Sequence, residues 1–215
     1  MAIKVISLDI GGTIYKDKKE KGLIRKLSKK LNIINHKIEE AMKKTFQVSN
    51  NDIQQITQEF CKLINFNEPN YVKEIVLEHY KNENIEYTDQ KIIDFILQYK
   101  SKGYKIALLS NSNILQAKNL DNALKNICDY ILRSCDMKVT KQDQEFYKKA
   151  EKILNVKPSE IIHIGNSLIS DYEVPKQCGW NCILFDCNNS DINVNTIEKL
   201  YSEVEKIIIN NNFQV

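Results

Sequence analysis

Short apolar runs recur along the chain, and each is followed by polar or small residues. The first, at 3–9, is rich in β-branched residues and leads into Asp and Gly, which is typical of a buried strand that ends at a turn. Similar runs at 104–110, 161–165 and 182–186, with a weaker one at 130–132, predict further strands.

Segments whose apolar residues have helical spacing lie between several of these runs. Two helix faces are marked by Ile92, Ile93, Ile96 and Leu97, and by Phe146, Ala150, Ile153 and Leu154. Gly103 stands where the first of these helices should stop. Strands that alternate with helices predict an α/β fold, in which a largely parallel sheet carries helices on both faces.

The stretch from Tyr15 to Glu86 departs from this alternation because it contains no convincing strand. Four helical patterns replace it, at about 20–31, 36–48, 53–64 and 71–82. Asn35, Asn51 and the Glu68-Pro69 pair are the predicted start signals of the last three. We therefore predict a core domain formed by residues 1–14 and 87–215, and an inserted helical domain at 15–86.

Composition and charge exclude several classes of protein. The net charge is only +3, and two of the 31 basic residues are arginine, so we expect no nucleic-acid partner. No apolar run approaches the roughly 18–20 residues that span a bilayer, and the first run is predicted to be a strand rather than a secretion signal. We expect a cytoplasmic protein without a membrane partner, whose six cysteines are reduced thiols.

The segment Asp9-Ile10-Gly11-Gly12-Thr13 directly follows the first predicted strand. A carboxylate at the carboxyl end of a parallel strand faces the crevice where ligands bind in such sheets. The two glycines permit a tight turn and the close approach of a charged ligand. A turn with no function would use the same residue types, so this segment alone does not decide between the two interpretations.

Three further polar segments follow predicted strands or precede helices. The hydroxyl of Ser110 and the backbone N–H of Asn111 are suited to a phosphoryl oxygen, although Ser and Asn also cap helices. Lys141 precedes the helix that contains Phe146 and is suited to neutralising phosphate charge, in a chain with many other lysines. Asp171 lies just beyond the run at 161–165 and is a candidate cation ligand.

Together, the order and spacing of these segments resemble the haloacid dehalogenase superfamily, whose members are mostly phosphatases. The resemblance extends over essentially the whole chain. Asp9 matches the family's nucleophile, and Ser110 matches the Ser or Thr of its second motif. Lys141 matches the family's lysine, with Gln142 in place of the usual proline, and Asp171 matches the second acid of the fourth motif. The resemblance implies a Rossmann-like core, with the helical insert as an α-helical cap.

Two positions depart from the family pattern. Gly11 stands where family phosphatases carry a second Asp, which protonates the leaving group and then activates water. Losing a positioned acid–base group costs roughly 10²–10⁴-fold in rate. Tyr15 and Lys16 are the candidates nearest in sequence to replace it. Asn166 stands where the family places a magnesium-ligating Asp, so we expect a weaker magnesium site.

The resemblance also implies a mechanism and its participants. Asp9 would attack phosphorus to form an aspartyl-phosphate, with Ser110 and Lys141 as the other catalytic residues. The implied phosphate-binding residues are Asp9, Gly12, Ser110, Asn111 and Lys141. The implied cofactor is Mg²⁺, held by Asp9, the Gly11 carbonyl, Asn166 and Asp171.

Three functions are compatible with this pattern. The favoured one is a Mg²⁺-dependent phosphatase of a small phosphorylated metabolite. The departures at Gly11 and Asn166 keep open a catalytically impaired phosphate-sensing or protein-binding module. A carbon–halogen hydrolase is the remaining alternative within the family. Fold alone does not choose among them, and neither the substrate nor the oligomeric state follows from the sequence.

Overall fold

Five parallel strands form one sheet in the order β3–β2–β1–β4–β5, with β1 at its centre. The strands are β1 Val5–Asp9, β2 Lys105–Ser110, β3 Tyr130–Arg133, β4 Ile161–Gly165 and β5 Asn181–Leu184. The structure is a computed structural model that describes residues 2–15, 20–81, 89–116, 123–187 and 189–212. The chain moves outwards from β1 to β3 and then crosses to β4, so the strand order reverses beside β1, where open α/β sheets bind ligands.

Between β1 and β2 the chain forms a helical bundle around its own hydrophobic core. Its helices are α1 Glu20–Leu31, α2 Asn35–Lys44, α3 Ile53–Ile64 and α4 Pro69–Lys81. The bundle core includes Leu27, Met42, Phe46, Phe60 and Val76. Helical spacing of these apolar residues predicts this arrangement, because no single helix can bury its apolar face alone.

The predicted start signals of the bundle helices are only partly confirmed. Helix α4 begins at Pro69, where the fixed φ angle and missing N–H of proline cost the helix nothing. Helix α3 is capped by Asp52 rather than by Asn51, because the Asp52 carboxylate accepts hydrogen bonds from two backbone N–H groups of the first turn. Asn35 lies inside helix α2 instead of preceding it.

The bundle packs against the sheet through the segment that follows β2. The Asn113 side-chain amide donates a hydrogen bond to the Tyr80 hydroxyl of α4 at 2.9 Å. Ile114 and Leu115 pack against the bundle core. A polar contact and an apolar contact therefore join the bundle to the end of the strand adjacent to β1.

The remaining helices cover the two faces of the sheet. They are α5 Gln90–Ser101, α6 Ser134–Met137, α7 Gln144–Leu154, α8 Val174–Gln177 and α9 Ile197–Asn212, with a 3-10 turn at Pro158–Glu160 and a π-helical turn at Leu168–Glu173. Two expected core residues are half-exposed instead, Leu97 on α5 and Ile153 on α7. In the described part of the chain, no helix has the length and apolar character needed to cross a bilayer.

Alternate residues of β1 belong to two different cores. Ile6 and Leu8 pack with α5 and α9, whereas Val5 packs with α7 and Trp180. Side chains alternate between the two faces of a strand, so Ser7 and Asp9 share the face of Val5. This face, covered by α7, leads to the candidate site.

Candidate active site

A buried ion cluster lies at the carboxyl end of the central strands. The Lys141 ammonium donates hydrogen bonds to Asp9 Oδ1 and, at 2.7 Å, to Asp171 Oδ1. All three side chains are buried, and Lys141 is only 2% exposed. Charged side chains are rarely buried unless they are paired. The cluster is therefore a specific buried ion-pair network rather than a chance surface contact.

Three different elements bring these charges together. Asp9 is the last residue of β1, and Asp171 lies in the π-helical turn after β4, a strand that pairs with β1. Lys141 precedes α7, and its backbone N–H donates to Asn111 Oδ1 at 2.8 Å. A Cβ atom on Gly165 would lie 2.5 Å from the Asp171 carboxyl carbon, so glycine at that position leaves room for the carboxylate.

The environments of the two carboxylates shift their pKa values in opposite directions. Burial and the nearby Asp171 charge raise the pKa of Asp9 to about 7, against the opposing effects of Lys141 and the Ile10 backbone. Burial would also raise the pKa of Asp171, but the Lys141 charge and the His163 hydrogen bond hold it below its usual range. The two carboxylates raise the pKa of Lys141 despite its burial, so the lysine stays charged.

Two further residues of this site are not apparent from the motifs. His163 of β4 lies with Nε2 3.3 Å from Asp171 Oδ1 and Nδ1 2.9 Å from the Ser7 hydroxyl. Both residues are fully buried, and burial lowers the pKa of His163. A signal for them does exist in the sequence, because each is a polar residue inside an otherwise apolar buried strand, and such residues need hydrogen-bond partners.

The glycine turn after Asp9 contains two glycines in different situations. Gly12 has a φ of +83°, and a Cβ atom there would lie 2.3 Å from the Asn166 side-chain nitrogen, so position 12 requires glycine. Gly11 is exposed, has no such backbone constraint, and a Cβ atom there would meet nothing within 4 Å. The missing acid at position 11 is therefore not a requirement of the backbone.

Ser110 and Asn111 lie at the same edge of the sheet as Asp9. Ser110 is the buried last residue of β2, and its neighbour Leu109 is the register partner of Asp9. Of the two suggested replacements for the missing acid, Tyr15 packs in the main hydrophobic core, and Lys16 lies outside the described residues.

The oxygen atoms of this site suit a hard divalent cation, although only two of the predicted ligands, Asp9 and Asp171, are carboxylates. Asp9 and Asp171 already share one cation, the Lys141 ammonium, so they are close enough to act on the same ion. Of the other predicted ligands, Gly11 lies two residues after Asp9, and the Asn166 side chain lies against Gly12. Mg²⁺ is commonly held by one or two carboxylates, with water and substrate phosphate completing its shell. Across the described residues no group of three or more His, Cys, Asp or Glu side chains is arranged to hold a metal.

A crevice of about 180 Å³ lies between the bundle and this edge of the sheet. It is lined from the bundle by Ile24, Glu39, Met42, Lys43 and Gln47, and from the sheet side by Asn111 and Gln142. Lys43 and Glu39 form an ion pair at 2.9 Å. The crevice thus adjoins Gln142, which follows Lys141 in the chain, and Asn111, which accepts a hydrogen bond from the Lys141 backbone N–H.

Comparisons with known proteins agree with this arrangement. The glyceraldehyde 3-phosphate phosphatase of Pyrococcus furiosus is 25% identical over 198 residues, which cover 85% of this chain and 80% of that protein. Solved structures with the same fold include a haloacid dehalogenase family enzyme from Bacteroides thetaiotaomicron in complex with magnesium and inorganic phosphate (TM-score 0.64, 14% identity, 87% of this chain and 96% of that one). A 2-haloacid dehalogenase from Pseudomonas syringae is also similar (TM-score 0.63, 12% identity, 95% of this chain and 99% of that one).

The family model for haloacid dehalogenase-like hydrolases matches residues 3–179, a range that contains the bundle, the ion cluster and the crevice. The resemblance inferred from the four motifs is thereby confirmed, and the chain belongs to the haloacid dehalogenase-like hydrolase family.

Proposed function

We propose that this hydrolase is a Mg²⁺-dependent phosphatase that acts on a small phosphorylated metabolite through an aspartyl-phosphate on Asp9. The observation that carries the proposal is the buried cluster of Asp9, Lys141 and Asp171 at the carboxyl end of β1 and β4. Burying one cation between two carboxylates is expensive, and buried charged groups with shifted pKa values are concentrated at functional sites. A phosphoryl group, which carries negative charge on several oxygens, is the ligand that such a cation suits.

The proposed roles follow from the position of each residue. An Asp9 oxygen forms a bond to phosphorus while the bond from phosphorus to the leaving oxygen breaks, and water later hydrolyses the acyl phosphate. Lys141 neutralises charge on the phosphoryl oxygens, and Ser110 and the Asn111 N–H donate hydrogen bonds to them. Asp9, the Gly11 carbonyl, Asn166 and Asp171 would hold Mg²⁺. When bound, the ion would neutralise phosphoryl charge alongside the lysine.

The absence of an acid at Gly11 constrains the leaving group. An alkoxide is a strong base and needs a proton in the transition state, whereas an aryl oxide or a carboxylate leaves without one. Position 11 offers no side chain to supply that proton. We therefore propose that acyl or aryl phosphates are better substrates than alkyl phosphates.

The crevice supports a compact substrate. Its volume of about 180 Å³ is below the roughly 300–1,000 Å³ of pockets that hold drug-sized ligands. We propose that the bundle acts as a cap whose Glu39, Lys43 and Gln47 contact the leaving group. The relative from Pyrococcus furiosus is named for a three-carbon phosphate, a size that agrees with this volume.

The proposal is tested by a hydrolysis screen with and without Mg²⁺. The panel should contain acetyl phosphate, p-nitrophenyl phosphate, glyceraldehyde 3-phosphate and a larger nucleoside monophosphate. We expect Mg²⁺-dependent release of phosphate from the small substrates, with the acyl and aryl esters fastest. If no member of the panel turns over while inorganic phosphate still binds, the chain is a phosphate-sensing module instead. Turnover that is unaffected by a chelator would contradict the magnesium requirement.

A further inference from the structure

Ser7 and His163 form a polar pair inside an otherwise apolar layer. They are register partners on the adjacent strands β1 and β4, and both are fully buried. The His163 ring packs edge-on against Trp180, with ring centroids 6.0 Å apart. Fully buried polar groups are costly unless each finds a partner, so the pair demands an explanation beyond packing.

The surroundings of the imidazole determine which of its nitrogens carries the proton. Nε2 faces a carboxylate oxygen, Asp171 Oδ1, at 3.3 Å, and a carboxylate only accepts hydrogen bonds. With the proton on Nδ1 instead, two acceptors would oppose each other in a buried place. Nε2 therefore carries the proton and donates to Asp171. Nδ1 is then left as an acceptor for the Ser7 hydroxyl at 2.9 Å, which is closer than that hydroxyl's other acceptor, the Ile162 backbone carbonyl at 3.3 Å.

The Asp171 carboxylate is consequently held by three donors. Oδ1 accepts from His163 and from Lys141, and Oδ2 accepts from the Ser167 backbone N–H at 2.9 Å. Of the two side-chain donors on Oδ1, Lys141 is charged, whereas burial lowers the pKa of His163 and favours its neutral form. The neutral imidazole fixes the carboxylate without adding a positive charge that would repel a cation bound there.

We propose that Ser7 and His163 are positioning residues, which set the orientation of the Asp171 carboxylate for cation binding. The inference rests on the proposed role of Asp171 in holding Mg²⁺. The orientation of Asp171 matters more for Mg²⁺ affinity because position 166 is a neutral Asn. A site with few carboxylates depends on the placement of those that it has. Hydrogen-bond partners of metal ligands are worth roughly 10–100-fold in metal affinity elsewhere.

The first test is Mg²⁺ binding to the substrate-free protein, measured by isothermal titration calorimetry. His163→Leu, which removes the donor, should weaken binding by about 10–100-fold. His163→Gln, which keeps an N–H donor, should recover part of the loss, and Ser7→Ala should show a smaller loss than His163→Leu. Trp180→Phe is the matched control, because it alters packing on the ring but leaves the hydrogen bonds of His163; the bond it removes, from Trp180 Nε1 to Glu151, does not involve Asp171. It should bind Mg²⁺ as the wild type does.

The second test reads the tautomer directly by ¹⁵N NMR of histidine-labelled protein. The chain has three histidines, so the His163 signals are assigned by their absence from the His163→Gln spectrum. We expect a protonated Nε2 and an unprotonated Nδ1 that accepts a hydrogen bond, with the Nδ1 signal shifted in Ser7→Ala. A protonated Nδ1 would overturn the proposal, even where a His163 variant fails to fold.

The outcomes separate this inference from the proposed function. If the wild type hydrolyses phosphates with Mg²⁺ and the His163 and Ser7 variants bind Mg²⁺ equally well, only the positioning role is wrong. The same holds if Trp180→Phe weakens binding as much as His163→Leu. If the wild type binds no Mg²⁺, both the proposed cation site and the positioning role of Ser7 and His163 are wrong.

Discussion

Asp9 and Asp171 contact the same lysine, yet their surroundings shift the pKa values of the two carboxyl groups in opposite directions. Asp171 at the end of β4 accepts hydrogen bonds from Lys141, His163 and Ser167, and its pKa is lowered. Asp9 at the end of β1 shares that lysine and accepts a long hydrogen bond from the Thr13 hydroxyl at 3.5 Å. Its pKa is raised to about 7. One ammonium ion does not compensate two buried carboxylates equally.

We propose that the two carboxylates have different roles. A permanently ionised, firmly held carboxylate suits the role of a fixed cation ligand. A raised pKa makes the ionised Asp9 oxygen more basic, which favours attack on phosphorus once the carboxyl group has lost its proton. When the environments of two titratable groups push their pKa values apart, the groups commonly have different catalytic roles.

The largest effect is expected from removing the charge of each aspartate in turn. Asp9→Asn should reduce turnover to below about 10⁻³ of wild type, because the nucleophile is lost. The variant should still bind Mg²⁺ through Asp171. Asp171→Asn should instead abolish measurable Mg²⁺ binding. Steady-state kinetics and calorimetry on both variants check these roles, and equal losses of Mg²⁺ affinity in both would refute them.

Adding an acid on the Asp9 side should change leaving-group preference. Gly11→Asp is tolerated by the backbone, since its Cβ would meet nothing within 4 Å. We expect about a 10²-fold rise in the rate on alkyl phosphates, equivalent to roughly 2.7 kcal/mol, with little change on aryl phosphates. Gly11→Asn, of similar size but unable to donate a proton as an acid, is the control. An unchanged preference in a folded variant would mean that another group already supplies the proton.

Adding a charge on the Asp171 side should strengthen the cation site. Asn166→Asp supplies a further carboxylate next to Gly12, and we expect about tenfold tighter Mg²⁺ binding, or roughly 1.4 kcal/mol. Calorimetric titration measures this directly, with Asn166→Ala as the control for the amide. Unchanged affinity in Asn166→Asp would place position 166 outside the cation site.

The smallest effect is on stability and depends on pH. Because the pKa of Asp9 is raised from 3.8 to about 7, its ionisation destabilises the fold progressively as pH rises through that window. In chelator-treated protein, Asp9→Asn should therefore raise the melting temperature more at pH 8 than at pH 5. Asp171→Asn should lower the melting temperature at pH 8. The pKa of Asp171 is lowered in the folded state, so its ionised form stabilises the fold at pH values above its pKa in the unfolded chain. A shift of the same sign in both variants would contradict the pKa contrast.

Much of the fold is readable from the sequence because its patterns are local. The strand at 161–165 and the bundle helices at 20–31 and 53–64 are predicted at their observed bounds. Errors arise where several side chains compete for one role. Asp52 rather than Asn51 caps α3 because only the Asp52 carboxylate accepts bonds from the first turn. Leu97 extends an apolar face by periodicity, yet its side chain is 43% exposed.

The site is predictable only as far as its motifs reach. Asp9, Lys141 and Asp171 each follow or precede a recognisable element, and the structure brings them together as expected. Ser7 and His163 belong to no motif, and their partnership depends on strand register, which no local pattern specifies. The crevice residues Glu39 and Lys43 could not be identified from the sequence either, since an i, i+4 pair of opposite charges is common on the exposed face of a helix. The division into two domains stays a prediction.

The most direct test of the central claim is to trap the covalent intermediate. The protein is mixed with Mg²⁺ and acetyl phosphate or p-nitrophenyl phosphate, quenched in acid, and analysed by peptide mass spectrometry. We expect an acid-stable, base-labile phosphoryl group on the peptide that contains Asp9, and none in Asp9→Asn. Steady turnover with no phosphoryl group on Asp9, or with one on another residue, would contradict it.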